Sequence, residues 1–125
     1  MLGYTGEIFG ISIDEPLAEL QSMVAAIATG VLQLFQHPGK LAAEDIVASA
    51  DYLGAGYGVL GQLEREAIDV FARSEGILLD PVYTSRAAGG MLDMIRRGAV
   101  SKDETILFWH TGGLPALWAY AGELI

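Results

Sequence analysis

Two short apolar runs, EIFGISI at residues 7–13 and TILFW at residues 105–109, are each followed almost at once by a proline-led helix start. A short strand buried on both faces that feeds directly into a helix is the unit of a parallel sheet. Alternation of such units predicts an α/β fold, a layered partial parallel sheet flanked by helices, with ligands where strand ends meet helix starts. After the first run, Leu17, Leu20, Val24, Ile27, Val31 and Leu34 recur at helical spacing as one apolar stripe. Asp14 and Glu15 can cap that helix, Pro16 suits its first turn, and His37-Pro38-Gly39 stops it. A second helical repeat covers residues 63–74 through Ala67, Ile68 and Phe71, with Gly76 as its C-terminal cap. A third starts from Ser85 as cap and reaches Arg97, with Gly98 beyond its end. Residues 43–50 fit a short helix or a strand, and DYLGAGYGVLG at 51–61 carries too many glycines for either, so it reads as a loop. Residues 1–125 are read as a single α/β unit, although only two strands are clear and a sheet of two leaves both edges open.

Composition narrows the function classes. Of the residues, 52% are apolar and 18% charged, which favours a buried core over disorder. Sixteen acidic against seven basic side chains give a net charge of -9, which repels a phosphate backbone and argues against nucleic acid as a partner. The absence of cysteine excludes disulfides, thiolate metal sites and a cysteine nucleophile, and agrees with a cytoplasmic location. MLGYTGEIFG lacks the pattern of a signal peptide. The weakly polar stretch 24–35 is shorter than the roughly 20 residues of a membrane span and is expected to be a buried helix.

Several side chains have chemistry to offer, each beside a plainer reading. The turn His110-Thr111-Gly112-Gly113, ahead of a helix starting near Pro115, can cradle an anion, or its glycines can simply make a tight turn. His110 can carry a proton, but no serine or carboxylate is spaced to form a triad with it, and a hydrogen-bonded structural histidine fits as well. Tyr57 and Tyr83 lie in turns, where each can stack on a flat ligand, move a proton, or pack. Lys40 and Lys102, the only lysines, sit in polar loops and read as solvated. Glu64 and Glu66, two apart, lie on different helix faces and read as surface charge.

The strings GYG, EGILLDPVYTSRAAGGMLDMIRRG and ILFWHTGGLPALWAY together resemble the C-terminal part of the D-cysteine desulfhydrase and 1-aminocyclopropane-1-carboxylate (ACC) deaminase family, pyridoxal-phosphate enzymes of the tryptophan-synthase-β type. The likeness covers essentially the whole chain, and DPVYT with HTGGxPALxAY is a specific pair of strings. It implies that Tyr83, in DPVY, and Tyr57, in GYGV, border the substrate and serve binding or proton transfer. It implies further that Thr111 and Gly112 face the cofactor ring nitrogen, with Thr84 at the same end of the site. Deaminases carry Glu after the DPVY tyrosine and Leu after the HTGG-type histidine; desulfhydrases carry Thr at both, as Thr84 and Thr111 do here. A neutral hydroxyl at the ring nitrogen gives a weaker electron sink than a carboxylate would, which favours β-elimination of a good leaving group such as sulfide.

The implied reaction is therefore elimination from a small D-amino acid to pyruvate, ammonia and sulfide, with deamination of ACC and cysteate sulfo-lysis as alternatives inside the family. The resemblance also implies a homodimer. The family's Schiff-base lysine, its neighbouring serine and asparagine and its phosphate-binding loop lie in an N-terminal part that this sequence does not match. Neither Lys40 nor Lys102 corresponds to that lysine, so this chain alone is expected to be inactive. A second reading is a noncatalytic or split-protein domain that associates with a partner chain. Departures from the family strings are Leu60 for proline, Ser85-Arg86 for Gly-Lys, and tryptophan at 109 and 118.

Overall fold

In the computed structural model, residues 4–124 are described. They form β1 (Gly10–Ile11), α1 (Leu17–Leu34), a 3-10 turn (Ala43–Asp45), β2 (Ala48–Ser49), α2 (Gln62–Glu75), α3 (Thr84–Arg96), α4 (Ala116–Ala119) and α5 (Ala121–Leu124). β1 and β2 pair in parallel, Gly10 opposite Ala48 and Ile11 opposite Ser49, with α1 as the crossover. Gly10 N–H donates to Val47 O and Ser12 N–H to Ser49 O, each at 2.9 Å. The segment 43–50 thus uses both of its readings in turn.

The core lies between α2 and α3. Ala67, Leu79 and Ala88 are fully buried, and Ile68, Phe71, Leu92 and Phe108 pack around them. The helices meet closely because α3 carries glycine where they touch. A Cβ on Gly89 would stand 2.6 Å from the Leu63 side chain, and one on Gly90 would stand 2.7 Å from Ile11 Cδ1. The pair Gly89-Gly90 therefore lets α3 fit under α2 on one side and β1 on the other. Gly76 takes the left-handed cap, φ 66, as its place after the apolar repeat predicts.

Several expectations change. The run 105–109 finds no partner strand among the described residues and forms no ladder; Phe108 alone reaches the core, while Leu107 and Trp109 are exposed. The first run pairs only at Gly10–Ile11. Ser85 is not the cap of α3: it lies inside the first turn, and its buried hydroxyl has no hydrogen-bond partner among the described residues.

α1 is the largest correction. It is long and apolar enough, by length and composition, to cross a membrane, yet it is not the buried helix expected, since only Ala25 and Leu32 are buried. Of the predicted stripe, Leu17, Ile27, Val31 and Leu34 are exposed. The packed face is another one, and polar groups fasten it: Gln21 Nε2 donates to Ile46 O at 2.8 Å, and Leu41 N–H donates to Thr29 Oγ1 at 3.0 Å. The 3-10 turn pairs its own backbone but leaves Leu41 N–H and Ile46 O to be satisfied, and α1 turns toward them the side chains that do so. Its N-cap position is Pro16, with no side-chain cap from Asp14 or Glu15.

Candidate functional site

The turn that leads into α3 is organised by one buried carboxylate. Asp80 Oδ2 accepts from the amides of Val82 and Tyr83 at 2.8 Å, and Oδ1 accepts from the Thr84 amide and hydroxyl at 2.7 Å. Thr84 Oγ1 in turn accepts from Asp80 N–H at 2.8 Å. Proline after Asp80 fixes the chain at the start of the turn, and the aspartate supplies the partners that the first helical amides lack. Burial alone would push the Asp80 carboxyl up, but the hydrogen bonds from Thr84, Tyr83 and Val82 outweigh it and hold the group below its ordinary value. Thr84 is buried and its hydroxyl is used up inside this turn.

The HTGG turn lies directly against it. A Cβ on Gly113, which has φ +92, would stand 2.6 Å from Asp80 Cγ. His110 Nδ1 accepts from Gly112 N–H at 3.1 Å, so the ring proton is on Nε2, which donates to Leu78 O at 3.0 Å. His110 is therefore the pin that joins the HTGG turn to the apolar run before Asp80. Gly112 takes φ 102, and Thr111 beside it is exposed. α4 has only four residues, so the turn does not open a long helix with a row of free amides.

A third segment, the loop 53–60, brings Tyr57 to the same place. Its hydroxyl is hydrogen-bonded to that of Tyr83, with the rings edge to face at 5.9 Å between centroids. Both rings are exposed. The bond to Tyr83 is the main cause that holds Tyr57 above the ordinary phenol range. Tyr120, from the segment after the HTGG turn, donates its hydroxyl to Gly58 O at 2.6 Å and fastens the outer side of the loop.

The inner side is fastened by residues that sequence reasoning misplaced. Glu64 is not surface charge: it is 2% exposed, its Oε1 accepts from Arg86 Nε at 2.6 Å, and its Oε2 accepts from Gly61 N–H at 2.9 Å. Arg86 is 1% exposed. Its Nη1 donates to Ile13 O at 2.7 Å, Leu53 O at 2.8 Å and Gly56 O at 3.2 Å, and its Nη2 donates to Val59 O at 3.1 Å. The available signal was the position of Glu64 on the helical repeat Glu64, Ala67, Ile68, Phe71, where a carboxylate enters the core only with a partner. Glu66 does face outward, and pairs with Arg96 at 2.6 Å.

Of the residues singled out from sequence, Tyr57 and Tyr83 thus meet directly, and Thr84, Thr111 and Gly112 lie on the two turns joined at Asp80 and Gly113. Lys40 and Lys102 are exposed. No cluster of metal-ligating side chains occurs among the described residues.

The D-cysteine desulfhydrases of Salmonella typhi and of Salmonella newport (strain SL254) are each 39% identical to this chain over 117 residues, which is 91% of this chain and 34% of the relative. A solved structure of an ACC deaminase homologue matches with a TM-score of 0.78 at 28% identity, over 93% of this chain and 34% of that one. The resemblance to the desulfhydrase and deaminase family holds in both sequence and fold. The chain spans about a third of the length of these relatives. No family model matches it.

Proposed function

We propose that this chain is the C-terminal, tyrosine-bearing portion of a pyridoxal-phosphate-dependent lyase that eliminates sulfide from a small D-amino acid such as D-cysteine. The observation that carries this reading is the meeting of Tyr57 and Tyr83, from segments 26 positions apart, at the edge where the HTGG turn packs on Asp80. The 39% identity to D-cysteine desulfhydrases supports the substrate class.

The residues present fit one side of the cofactor. Thr111 offers an exposed hydroxyl beside Gly112, whose lack of a side chain lets a flat ring approach, and both would sit at the ring nitrogen. Thr84 would act through Asp80, by fixing the turn that presents Tyr83. The exposed lysines do not supply the covalent anchor, which falls to a lysine outside this chain. When bound, pyridoxal phosphate supplies the electron sink that lets the Cα–H bond of the substrate break. This chain's own part is proton handling and orientation. Tyr57, like any phenol at or above its ordinary value, is protonated at neutral pH, and its bond to Tyr83 raises it further, so it can donate a proton. A protonated tyrosine at this edge can give a proton to sulfur as the Cβ–S bond breaks, and Tyr83 can hold the substrate in line.

A second reading, association with a partner chain, is favoured by exposed apolar surface. Trp109 and Trp118 are 78% and 83% exposed, and Leu78, Leu114 and Trp118 line an open apolar groove beside the HTGG turn. The two readings join if the partner brings the lysine and the phosphate site. The test is to combine the chain with a polypeptide corresponding to the remaining two thirds of a D-cysteine desulfhydrase. Release of sulfide and pyruvate from D-cysteine by the mixture, and by neither part alone, is the expected result. Stable association without turnover or a cofactor absorption band would leave only the partner-binding reading, and no association would defeat both.

A further inference from the structure

The aromatic contact of Tyr57 is the edge-to-face one with Tyr83. Its ring is exposed and its hydroxyl partner, Tyr83, is exposed as well, so the distance between the two hydroxyls is set by the backbone on either side. One side is the first turn of α3, fixed by Asp80. The other is the loop 53–60, and the group that fixes it is the guanidinium of Arg86, three positions after Tyr83 on α3.

We propose that Arg86 is the positioning residue of the tyrosine pair, holding the Tyr57 loop at a fixed distance from Tyr83. Three of its four carbonyl partners, Leu53, Gly56 and Val59, bracket Tyr57, and the fourth, Ile13, is the end of the first apolar run. The remaining nitrogen, Nε, pairs with Glu64, whose other oxygen holds Gly61 N–H just past the end of the same loop. Every nitrogen of the guanidinium is thus engaged, and most of its bonds end on the loop. A buried ion pair is a weak source of stability, because desolvation offsets the attraction, whereas it does fix geometry. A planar guanidinium can meet a carboxylate and four carbonyls at once, with the two N–H groups of Nη1 shared among three of the carbonyls; a lysine, with three donors on a flexible stem, cannot. Arginine at this position is also where the chain departs from the Gly-Lys of the family strings.

This inference rests on the tyrosine pair of the proposed site and not on the reaction, so it is tested on the chain itself without substrate or cofactor. With tyrosine labelled at ring carbon ζ, the ionisation of Tyr57 is followed by NMR, and Tyr83→Phe assigns the part due to the shared hydroxyl. In Arg86→Lys the upward displacement of the Tyr57 ionisation is expected to be lost, as in Tyr83→Phe. That of Tyr52, which is raised by burial first and then by its bond to Asp93, is expected to be retained as the control for an intact fold. Where Arg86→Lys does not fold, Arg86→Met combined with Glu64→Gln removes the charge from both partners and gives the same two readings. A folded variant of either kind in which Tyr57 ionises as in the unaltered chain would overturn the proposal. Failure of the lyase reading would show instead as absent turnover with the tyrosine displacement intact.

Discussion

The carboxylate of Asp80 and the backbone of Gly113 approach more closely than any other residue at position 113 would permit, since a Cβ there would stand 2.6 Å from Asp80 Cγ. Two turns on separate parts of the chain are thereby locked together. Gly113→Ala would meet both this contact and a left-handed backbone with φ +92. A loss of about 2–3 kcal/mol in stability is expected, from backbone strain with the contact added. Urea unfolding measures it, and a change below about 1 kcal/mol would mean that the turns separate without cost.

Asp80 also sets a pH dependence. Its carboxyl is held below the ordinary value of 3.8 in the folded state, so its stabilising contribution is fully present above that unfolded value and is lost as pH falls through the folded value. Urea midpoints taken from neutral pH down to the acid range are expected to fall below about pH 4. Asp80→Asn, which replaces one acceptor oxygen with a donor facing an amide, is expected to cost about 2–3 kcal/mol at neutral pH and to flatten this acid slope.

The two threonines should separate cleanly. Thr84→Val leaves the buried Asp80 N–H without its acceptor and is expected to cost about 1–3 kcal/mol. Thr111 is exposed, and Thr111→Val is expected to leave stability within about 0.5 kcal/mol while weakening cofactor binding in the complemented enzyme. Equal effects of the two on stability would show that Thr111 is structural.

Tyr57→Phe and Tyr83→Phe each remove one hydroxyl from an exposed pair, so the cost in stability is expected to be below about 1 kcal/mol. In the complemented enzyme either change is expected to lower kcat for D-cysteine by about 10²-fold, the smaller end of what a positioned proton donor contributes. Steady-state sulfide release checks this, and unchanged kcat in both would remove the tyrosines from the chemistry.

The helices that make the core were legible, because Ala67, Ile68 and Phe71 repeat toward one side and Gly76 and Gly98 follow the helix ends. The strands were less so, since EIFGISI and TILFW have the composition of buried strands whether or not a neighbour pairs with them. On α1 the stripe was real but did not decide the packing, which Gln21 and Thr29 settle through long-range hydrogen bonds that periodicity does not encode. At the candidate site the tyrosines were visible from the strings around them. The support beneath them was not, because Glu64 and Arg86 pair across 22 positions and each alone looks like surface charge.

The loop around Tyr57 is spanned from beneath by a single guanidinium and from above by the Tyr120 hydroxyl. Carbonyls 53, 56 and 59 recur at intervals of three, matched to the width of one planar group, so an inserted or deleted residue would put them out of step. Evolution can lengthen the chain at the exposed turns 35–40 and 97–104 with little penalty, but the stretch from Leu53 to Val59 is held to its length by the carbonyls it offers Arg86.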